Sequence, residues 1–219
     1  MQSALVNGRI LTPEGIVDGK AVAIRDGRID GVIDSADTPV GALRQDLGGG
    51  LLVPGFIDTQ VNGGGGVLFN DSPTVEAIAA IGAAHRPYGT TGFLPTLISD
   101  DLAVVDAAMR ATEQAIAAGV PGVLGVHIEG PFLNVKRKGI HDSSKFRILD
   151  DEAVALLSSL KRGKTLVTLA PETTTPEMVR RLTDAGVTVA AGHSNAAYGV
   201  VRQLFEATLS GPEERAPSS

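Results

Sequence analysis

From residue 54 onwards, short apolar segments alternate with segments of helical periodicity, and this alternation constrains the fold more than any other feature of the sequence. The strand-like segments are residues 55–61, 92–97, 123–128, 165–169 and 187–191. Such an alternation predicts an α/β fold with a parallel sheet and right-handed crossovers. Two architectures are compatible with it, an open doubly wound sheet and a partial (β/α)8 barrel of the TIM type. A complete barrel needs about 250 residues, so a barrel here would be a partial one of about five units.

Helix start signals stand between the predicted strands. Ser72 and Thr175 are residues that cap helices, and each is followed by a proline, which is favoured at the first helical position. Asp150 predicts a further helix start. Gly186 predicts the end of the helix that Thr175 begins.

The first 53 residues have a different pattern, in which β-prone runs are separated by turn dipeptides. Asn7–Gly8 and Asp26–Gly27 both lie between such runs, and these dipeptides predict β-hairpins. We therefore predict a small β-sandwich segment at residues 1–53, an incomplete barrel domain at 54–210 and a polar, proline-rich tail at 211–219.

Composition excludes several classes of protein. A formal net charge of −6 argues against a nucleic-acid partner, which usually requires a basic face. The sequence has no cysteine, so a metal site would have to use His, Asp, Glu and water. No apolar run approaches the ~20 residues that span a bilayer, and the N-terminus does not resemble a secretory leader. We expect a cytoplasmic protein without a membrane partner.

Polar side chains close or follow the predicted strands: Gln60 and Asn62 at the first, Glu129 at the third and His193 at the fifth. Active sites of parallel α/β folds form at the carboxyl ends of strands. A carboxylate and an imidazole suit Zn²⁺ or Fe²⁺, so Glu129 and His193 are the first candidate ligand pair. The alternative is a solvated loop acid and a histidine beside a helix N-terminus.

The other three histidines have weaker signals. His127 lies two residues before Glu129 and faces the same side of a strand, as a site-lining group or as a hydrogen-bonded core histidine. His85 lies near a predicted helix end, where a histidine interacts favourably with the helix dipole. His141 follows the cations at 136–138, which either attract a phosphate or form a solvated loop.

Three common motifs, two that bind nucleotides and one of serine hydrolases, are absent from the sequence. The glycine run at 63–66 matches neither the dinucleotide-binding fingerprint nor a P-loop. No serine lies in a G-x-S-x-G elbow, which excludes the corresponding hydrolase triad.

Six segments are similar, in the same order, to those of the N-acetylglucosamine-6-phosphate deacetylases of the amidohydrolase superfamily. They are residues 53–58 (VPGFID), 89–96 (GTTGFLPT), 125–132 (GVHIEGPF), 138–141 (KGIH), 169–172 (LAPE) and 191–196 (AGHSNA). Two-metal members of the superfamily usually carry His-x-His where this chain has Gln60 and Asn62. The chain therefore resembles the single-metal kind.

The resemblance implies roles for individual residues. Glu129 and His193 would hold one divalent metal ion, Zn²⁺ or Fe²⁺, while the Ile140 backbone and His141 would contact the substrate's acetamide. The implied reaction is hydrolysis of N-acetyl-D-glucosamine 6-phosphate to D-glucosamine 6-phosphate and acetate, in amino-sugar catabolism. The resemblance also implies that full-length members of the family form homo-oligomers.

In the resembled family a second histidine ligand and a base aspartate lie further along the chain. No histidine or aspartate follows His193 here, so we assign no catalytic base and expect a C-terminally truncated, incomplete enzyme. One alternative is a non-catalytic half-barrel that binds a sugar phosphate or a complementary chain. Another is a different amidohydrolase, such as a dihydroorotase-like enzyme, against which Gln60 and Asn62 argue.

Overall fold

The computed structural model describes residues 2–209. The chain divides into two compact units, of which the first extends to Gly55 and the second begins at Phe56. This division lies next to the boundary predicted after residue 53. The polar tail predicted at 211–219 lies outside the described residues.

The first unit contains seven short strands arranged in two sheets. The strands are β1 Gln2–Val6, β2 Arg9–Thr12, β3 Gly15–Val17, β4 Lys20–Arg25, β5 Arg28–Asp34, β6 Leu43–Asp46 and β7 Leu51–Leu52. One sheet has the order β5-β4-β1-β6 and the other the order β3-β2-β7.

The two turn dipeptides of this unit behave differently. Asp26–Gly27 joins antiparallel β4 and β5, and both residues have the positive φ, 50° and 77°, that a type I′ hairpin requires. The hairpin predicted at Asn7–Gly8 is wrong, because β1 and β2 belong to different sheets. Asn7 also has a positive φ, and its Nδ2 donates to Oδ1 of Asp46 at 2.7 Å. Here the turn carries the chain from one sheet to the other.

The second unit is built on a five-stranded parallel sheet that curls into a half-barrel. Its strands are β8 Phe56–Val61, β11 Thr90–Ile98, β12 Gly125–Glu129, β13 Lys164–Leu169 and β14 Thr188–Ala191. Between β8 and β11 in the chain lies a separate antiparallel pair, β9 Gly63–Gly64 and β10 Val67–Leu68. The sheet order is β14-β13-β12-β11-β8, so each strand lies beside its predecessor in the chain. A doubly wound sheet reverses its order at a switch point, and this sheet does not. The predicted partial (β/α)8 architecture is confirmed.

Five helices connect or follow these strands: α1 Val75–His85, α2 Leu102–Ala117, α3 Asp151–Leu157, α4 Pro176–Asp184 and α5 Tyr198–Leu209. The predicted caps of α3 and α4 are confirmed, since Asp150 accepts from the Ala153 N–H at 3.0 Å and Thr175 from the Met178 N–H at 3.3 Å. None of the described helices is both long and apolar enough to cross a membrane.

The predicted start of α1 at Ser72 is wrong. Thr74 caps this helix instead and accepts from the Ala77 N–H at 3.2 Å. The Thr74 N–H bonds back to the Ser72 carbonyl at 2.8 Å, so Ser72 and Pro73 form a turn that delays the helix to Val75.

The core of the second unit lies between the sheet and its helices. Val126 and Ile128 on β12, and Val167 and Leu169 on β13, are at most 1% exposed. Strands buried on both faces read as continuous apolar runs, which is why the sequence pattern located them. The buried polar side chains at the carboxyl ends of these strands are therefore exceptions that need a chemical reason.

Candidate active site

A cavity of about 460 Å³ opens at the carboxyl ends of the half-barrel strands. Six residues singled out in the sequence line it: Gln60, Asn62, Glu129, Ile140, His141 and His193. They come from β8, β12, the loop after β12 and the residues after β14, so segments far apart in sequence supply one site.

Glu129 lies at the centre of this group. It is the last residue of β12 and is 7% exposed. Its Oε1 lies 3.0 Å from Nε2 of His193, and its Oε2 accepts from Nε2 of Gln60 at 3.0 Å. Nε2 of His141 lies 3.9 Å from the same Oε2. Ligand atoms of Glu129, His141 and His193 all lie within 4.8 Å of one another, a spacing compatible with a metal ion among them.

His193 follows β14 in a left-handed backbone conformation, with φ at +50°. Its Nδ1 lies 2.8 Å from the backbone carbonyl oxygen of Arg137. Because a carbonyl oxygen accepts and never donates, Nδ1 carries the hydrogen. With its hydrogen on Nδ1, a neutral His193 would have its lone pair on Nε2, the ring atom nearest Glu129, and this is the tautomer that a metal ligand needs.

His141 has the opposite tautomer. The backbone N–H of Ser99 donates to Nδ1 of His141 at 3.3 Å, and Oγ of Ser99 lies 2.8 Å from the same nitrogen. Since Nδ1 accepts, the neutral ring carries its hydrogen on Nε2, which faces Glu129 and the cavity. Burial holds the pKa of His141 below its ordinary value; the Glu129 carboxylate opposes that shift and His193 adds to it. His141 is thus a neutral hydrogen-bond donor.

Gln60 and Asn62 project toward the cavity from the end of β8 and from the residue after it. Gln60 donates to the Glu129 carboxylate, and Nδ2 of Asn62 lies 3.5 Å from the Thr96 carbonyl oxygen. These neutral amides add no negative charge to the cavity.

His127 is 3% exposed and does not line the cavity formed by the described residues. Its Nδ1 lies 3.0 Å from the Thr59 carbonyl oxygen and its Nε2 2.8 Å from Oγ1 of Thr168. Burial lowers the pKa of His127, against the opposing effects of Glu129 and the Thr59 hydrogen bond. His127 therefore ties β8, β12 and β13 together beneath the cavity.

The other residues that the sequence suggested as functional, His85 and the loop at 136–138, make contacts through backbone groups. His85 is the last residue of α1, as expected, and its Nε2 lies 2.9 Å from the Gly63 carbonyl oxygen. The cationic loop at 136–138 reaches the site through the Arg137 carbonyl. Attraction of a phosphate by its side chains stays a prediction.

Sequence reasoning missed four residues of the site: Ser99, which holds His141, and the cavity-lining Leu68, Asn70 and Ile98. Ser99 directly follows β11, so the strand-end rule that located Glu129 would also have found it. Asn70 bonds the backbone of Ile98 with both its amide atoms, at 3.0 and 3.1 Å, a long-range pairing without a sequence signal.

Comparison with known proteins agrees with this geometry. The family model described as "Amidohydrolase family" matches residues 51–218, which is more than half of the chain. The chain belongs to the amidohydrolase family. The amidohydrolase barrel therefore accounts for the sequential parallel sheet.

Curated relatives of this amidohydrolase extend well beyond it. It is 42% identical over 205 residues to an N-acetylgalactosamine-6-phosphate deacetylase of Shewanella sp. (strain ANA-3), which covers 93% of this chain and 52% of the relative. It is 35% identical over 205 residues to an N-acetylglucosamine-6-phosphate deacetylase of Haemophilus influenzae, covering 94% and 54%. The chain thus spans about half the length of the curated relatives it matches.

A solved structure agrees with the fold of this amidohydrolase. The crystal structure of N-acetylglucosamine-6-phosphate deacetylase from Pasteurella multocida superposes with a TM-score of 0.89 at 32% identity. The match covers 94% of this chain and 55% of the other.

Proposed function

We propose that the protein acts in the metal-dependent hydrolysis of the acetamide of an N-acetylhexosamine 6-phosphate, with N-acetyl-D-glucosamine 6-phosphate as the principal substrate. The products are D-glucosamine 6-phosphate and acetate, as in amino-sugar catabolism. The convergence of Glu129, His141 and His193 at the carboxyl end of the sheet carries this proposal. The names of the relatives support the choice of substrate.

The donor set fits a single divalent ion. Glu129 offers a carboxylate oxygen, and His193 offers Nε2, which lies 3.0 Å from that oxygen. Two atoms each ~2.1 Å from a tetrahedral zinc ion lie about 3.4 Å apart, close to this separation. With no cysteine in the sequence, nitrogen and oxygen ligands suit Zn²⁺ or Fe²⁺. A bound ion would supply Lewis-acid chemistry toward the amide carbonyl.

His141 and Ile140 serve the substrate rather than the metal in this proposal. The Nε2–H of His141 is directed into the cavity and would donate to the acetamide oxygen, where negative charge develops during hydrolysis. Ile140 lines the same cavity, and in this proposal its backbone contacts the same acetamide. Gln60 holds the Glu129 carboxylate in place by donating to Oε2.

The base that accepts a proton from water is not assigned within these 219 residues. Neither a histidine nor an aspartate follows His193, so this sequence contains no counterpart of the second histidine ligand and the base aspartate implied by the resemblance. We propose that the described residues bind the metal and the substrate amide, and that rapid hydrolysis needs residues outside them.

A direct test combines binding and turnover. Calorimetric titration of Zn²⁺ and Fe²⁺ into the purified protein, and into His193→Ala, measures the metal site. Titration of N-acetylglucosamine 6-phosphate, with and without metal, measures the substrate site, and glucose 6-phosphate serves as the control without an acetamide. An enzymatic acetate assay then measures turnover.

The outcomes separate the parts of the proposal. Metal-dependent binding of the acetylated sugar, lost in His193→Ala, supports the site. Acetate release that disappears in the same variant would show that 219 residues suffice for hydrolysis. Protein that binds neither metal nor sugar phosphate contradicts the proposed function.

N-acetylgalactosamine 6-phosphate is a second candidate substrate, because the 42% identical Shewanella relative is named for it. The two sugars differ in configuration at one hydroxyl, so parallel titrations discriminate between them. We also propose a cytoplasmic location, where sugar phosphates are formed, and a homo-oligomer, which light scattering of the purified protein would test.

A further inference from the structure

Three loops at the carboxyl end of the half-barrel meet at the side chain of Glu172. Oε1 of Glu172 accepts from Nδ2 of Asn134 at 2.8 Å and from the backbone N–H of Asn195 at 2.6 Å. Oε2 accepts from Oγ of Ser194 at 2.7 Å. One carboxylate after β13 therefore binds the loop after β12 and the loop after β14.

The residue that these bonds surround is His193. Ser194 and Asn195 follow it directly, and the backbone N–H of Asn134 donates to its carbonyl oxygen at 3.1 Å. Residues other than glycine in the left-handed region pay a conformational cost of about 1–2 kcal/mol, so neighbouring contacts must hold the +50° φ of His193. The bonds to Glu172 act on the two residues immediately after that strained position.

The backbone of His193 in turn sets the direction of its imidazole. Nδ1 of the ring lies 2.8 Å from the Arg137 carbonyl oxygen, and Nε2 lies 3.0 Å from Oε1 of Glu129. Both contacts depend on where the loop after β14 holds the Cα atom. A rotation of that loop would move Nε2 away from the carboxylate with which it forms the metal site.

We infer that Glu172 is a positioning residue that holds His193 in the geometry for metal binding. Glu172 is not among the described residues that line the cavity, so it acts through Asn134, Ser194 and Asn195. This inference rests on the proposed function in one respect, that His193 is a metal ligand.

Competition with a chromophoric chelator measures the affinity of the purified protein for Zn²⁺. Glu172→Ala removes all three acceptor contacts, and we expect the Zn²⁺ affinity to fall about tenfold, at the lower end of the range for groups that orient metal ligands. Glu172→Gln keeps one acceptor oxygen and should recover part of that loss. The Co²⁺ absorption spectrum, which reports ligand geometry, should change in Glu172→Ala and return toward the original in Glu172→Gln.

Glu113 provides a matched control. Its Oε2 accepts from the backbone N–H groups of Lys161 and Arg162 at 2.8 and 3.1 Å, so it also binds a loop, but one that precedes β13 at the opposite end of the sheet. Glu113→Ala should lower thermal stability without metal and leave the Zn²⁺ affinity unchanged. Ser194→Ala, which removes one bond of the Glu172 cluster, provides a milder variant and should weaken Zn²⁺ binding by a smaller factor than Glu172→Ala.

Three results overturn the inference. Unchanged Zn²⁺ affinity in both Glu172→Ala and Ser194→Ala, with binding lost in His193→Ala, refutes the positioning role and leaves the proposed function intact. An equal loss of affinity in Glu113→Ala shows that general destabilisation is responsible. Absence of Zn²⁺ binding by the unaltered protein overturns the metal site and this inference with it.

Discussion

The backbone N–H of Ser99 donates to Nδ1 of His141 at 3.3 Å, and this bond places the hydrogen of the neutral imidazole on Nε2. The Arg137 carbonyl instead places a hydrogen on Nδ1 of His193. Two histidines whose rings lie 4.7 Å apart are thereby given different chemistry by backbone groups. His141 presents an Nε2–H donor to the cavity, whereas a neutral His193 would keep its Nε2 lone pair for a metal ion.

Replacement of Ser99 tests this division of roles. Ser99→Ala removes the hydroxyl contact to Nδ1 but keeps the backbone donor, so His141 should become less well oriented without changing tautomer. We expect the affinity for N-acetylglucosamine 6-phosphate to fall about fivefold, the effect of a net hydrogen bond of ~1 kcal/mol. Zn²⁺ affinity, measured by calorimetry on the same sample, should not change. A parallel loss of Zn²⁺ affinity would instead identify His141 as a metal ligand.

Gln60 and Asn62 are expected to differ in their effect on metal binding. Gln60→Ala removes the bond to Oε2 of Glu129 and should weaken Zn²⁺ binding by about tenfold, because hydrogen bonds to a ligating carboxylate fix its orientation. Asn62→Ala is the matched control, since its amide lies against the Thr96 carbonyl. Chelator competition on both variants provides the comparison. Equal effects would show that Gln60 has no special relation to Glu129.

Much of the fold was predictable because it depends on local patterns. Apolar runs bounded by glycine located all five strands of the parallel sheet, and the side chains of Asp150 and Thr175 located two helix starts. The pattern was less informative at Ser72, where a turn precedes the helix, and at Asn7. The geometry of Asn7–Gly8 suits a hairpin, but the pairing partners of β1 lie elsewhere in the sequence.

The site was predictable where a residue type is rare at its position. A buried strand that ends in Glu129 stands out, as does His193, the second residue after β14. The positions of the ring hydrogens of the two histidines were not predictable. They depend on the backbone N–H of Ser99, 42 residues from His141, and on the backbone carbonyl of Arg137, 56 residues from His193. The cluster around Glu172 likewise exists only after three loops have met.

Removal of metal should destabilise the second unit. An ion that binds the folded state alone stabilises it by RT ln(1 + [L]/Kd), about 2.7 kcal/mol when the free ion is at 100 times its Kd. We expect the melting temperature of chelator-treated protein to rise when Zn²⁺ is restored and not when Mg²⁺ is added, because Mg²⁺ prefers oxygen ligands. His193→Ala should abolish the Zn²⁺ effect. An equal rise in that variant would place the stabilising ion elsewhere.

The cap of α3 should give the protein a measurable acid sensitivity. The backbone N–H of Ala153 is the main cause that lowers the pKa of Asp150, with Arg147 acting in the same direction and burial against it. A carboxyl whose pKa is lower in the folded state contributes stability above its unfolded pKa of ~3.9, and that contribution is lost as pH falls through the folded value. At neutral pH, Asp150→Ala should cost about 1 kcal/mol, as loss of a helix cap usually does.

Thr175, the cap of α4, is the matched comparison because its hydroxyl does not titrate in this range. Thr175→Ala should lower the free energy of unfolding by about 1 kcal/mol to the same extent at every pH. The difference between Asp150→Ala and the unaltered protein, measured by urea unfolding from about pH 7 downwards, should instead shrink below about pH 4. A difference that stays constant across this range would show that the Asp150 cap does not depend on its charge.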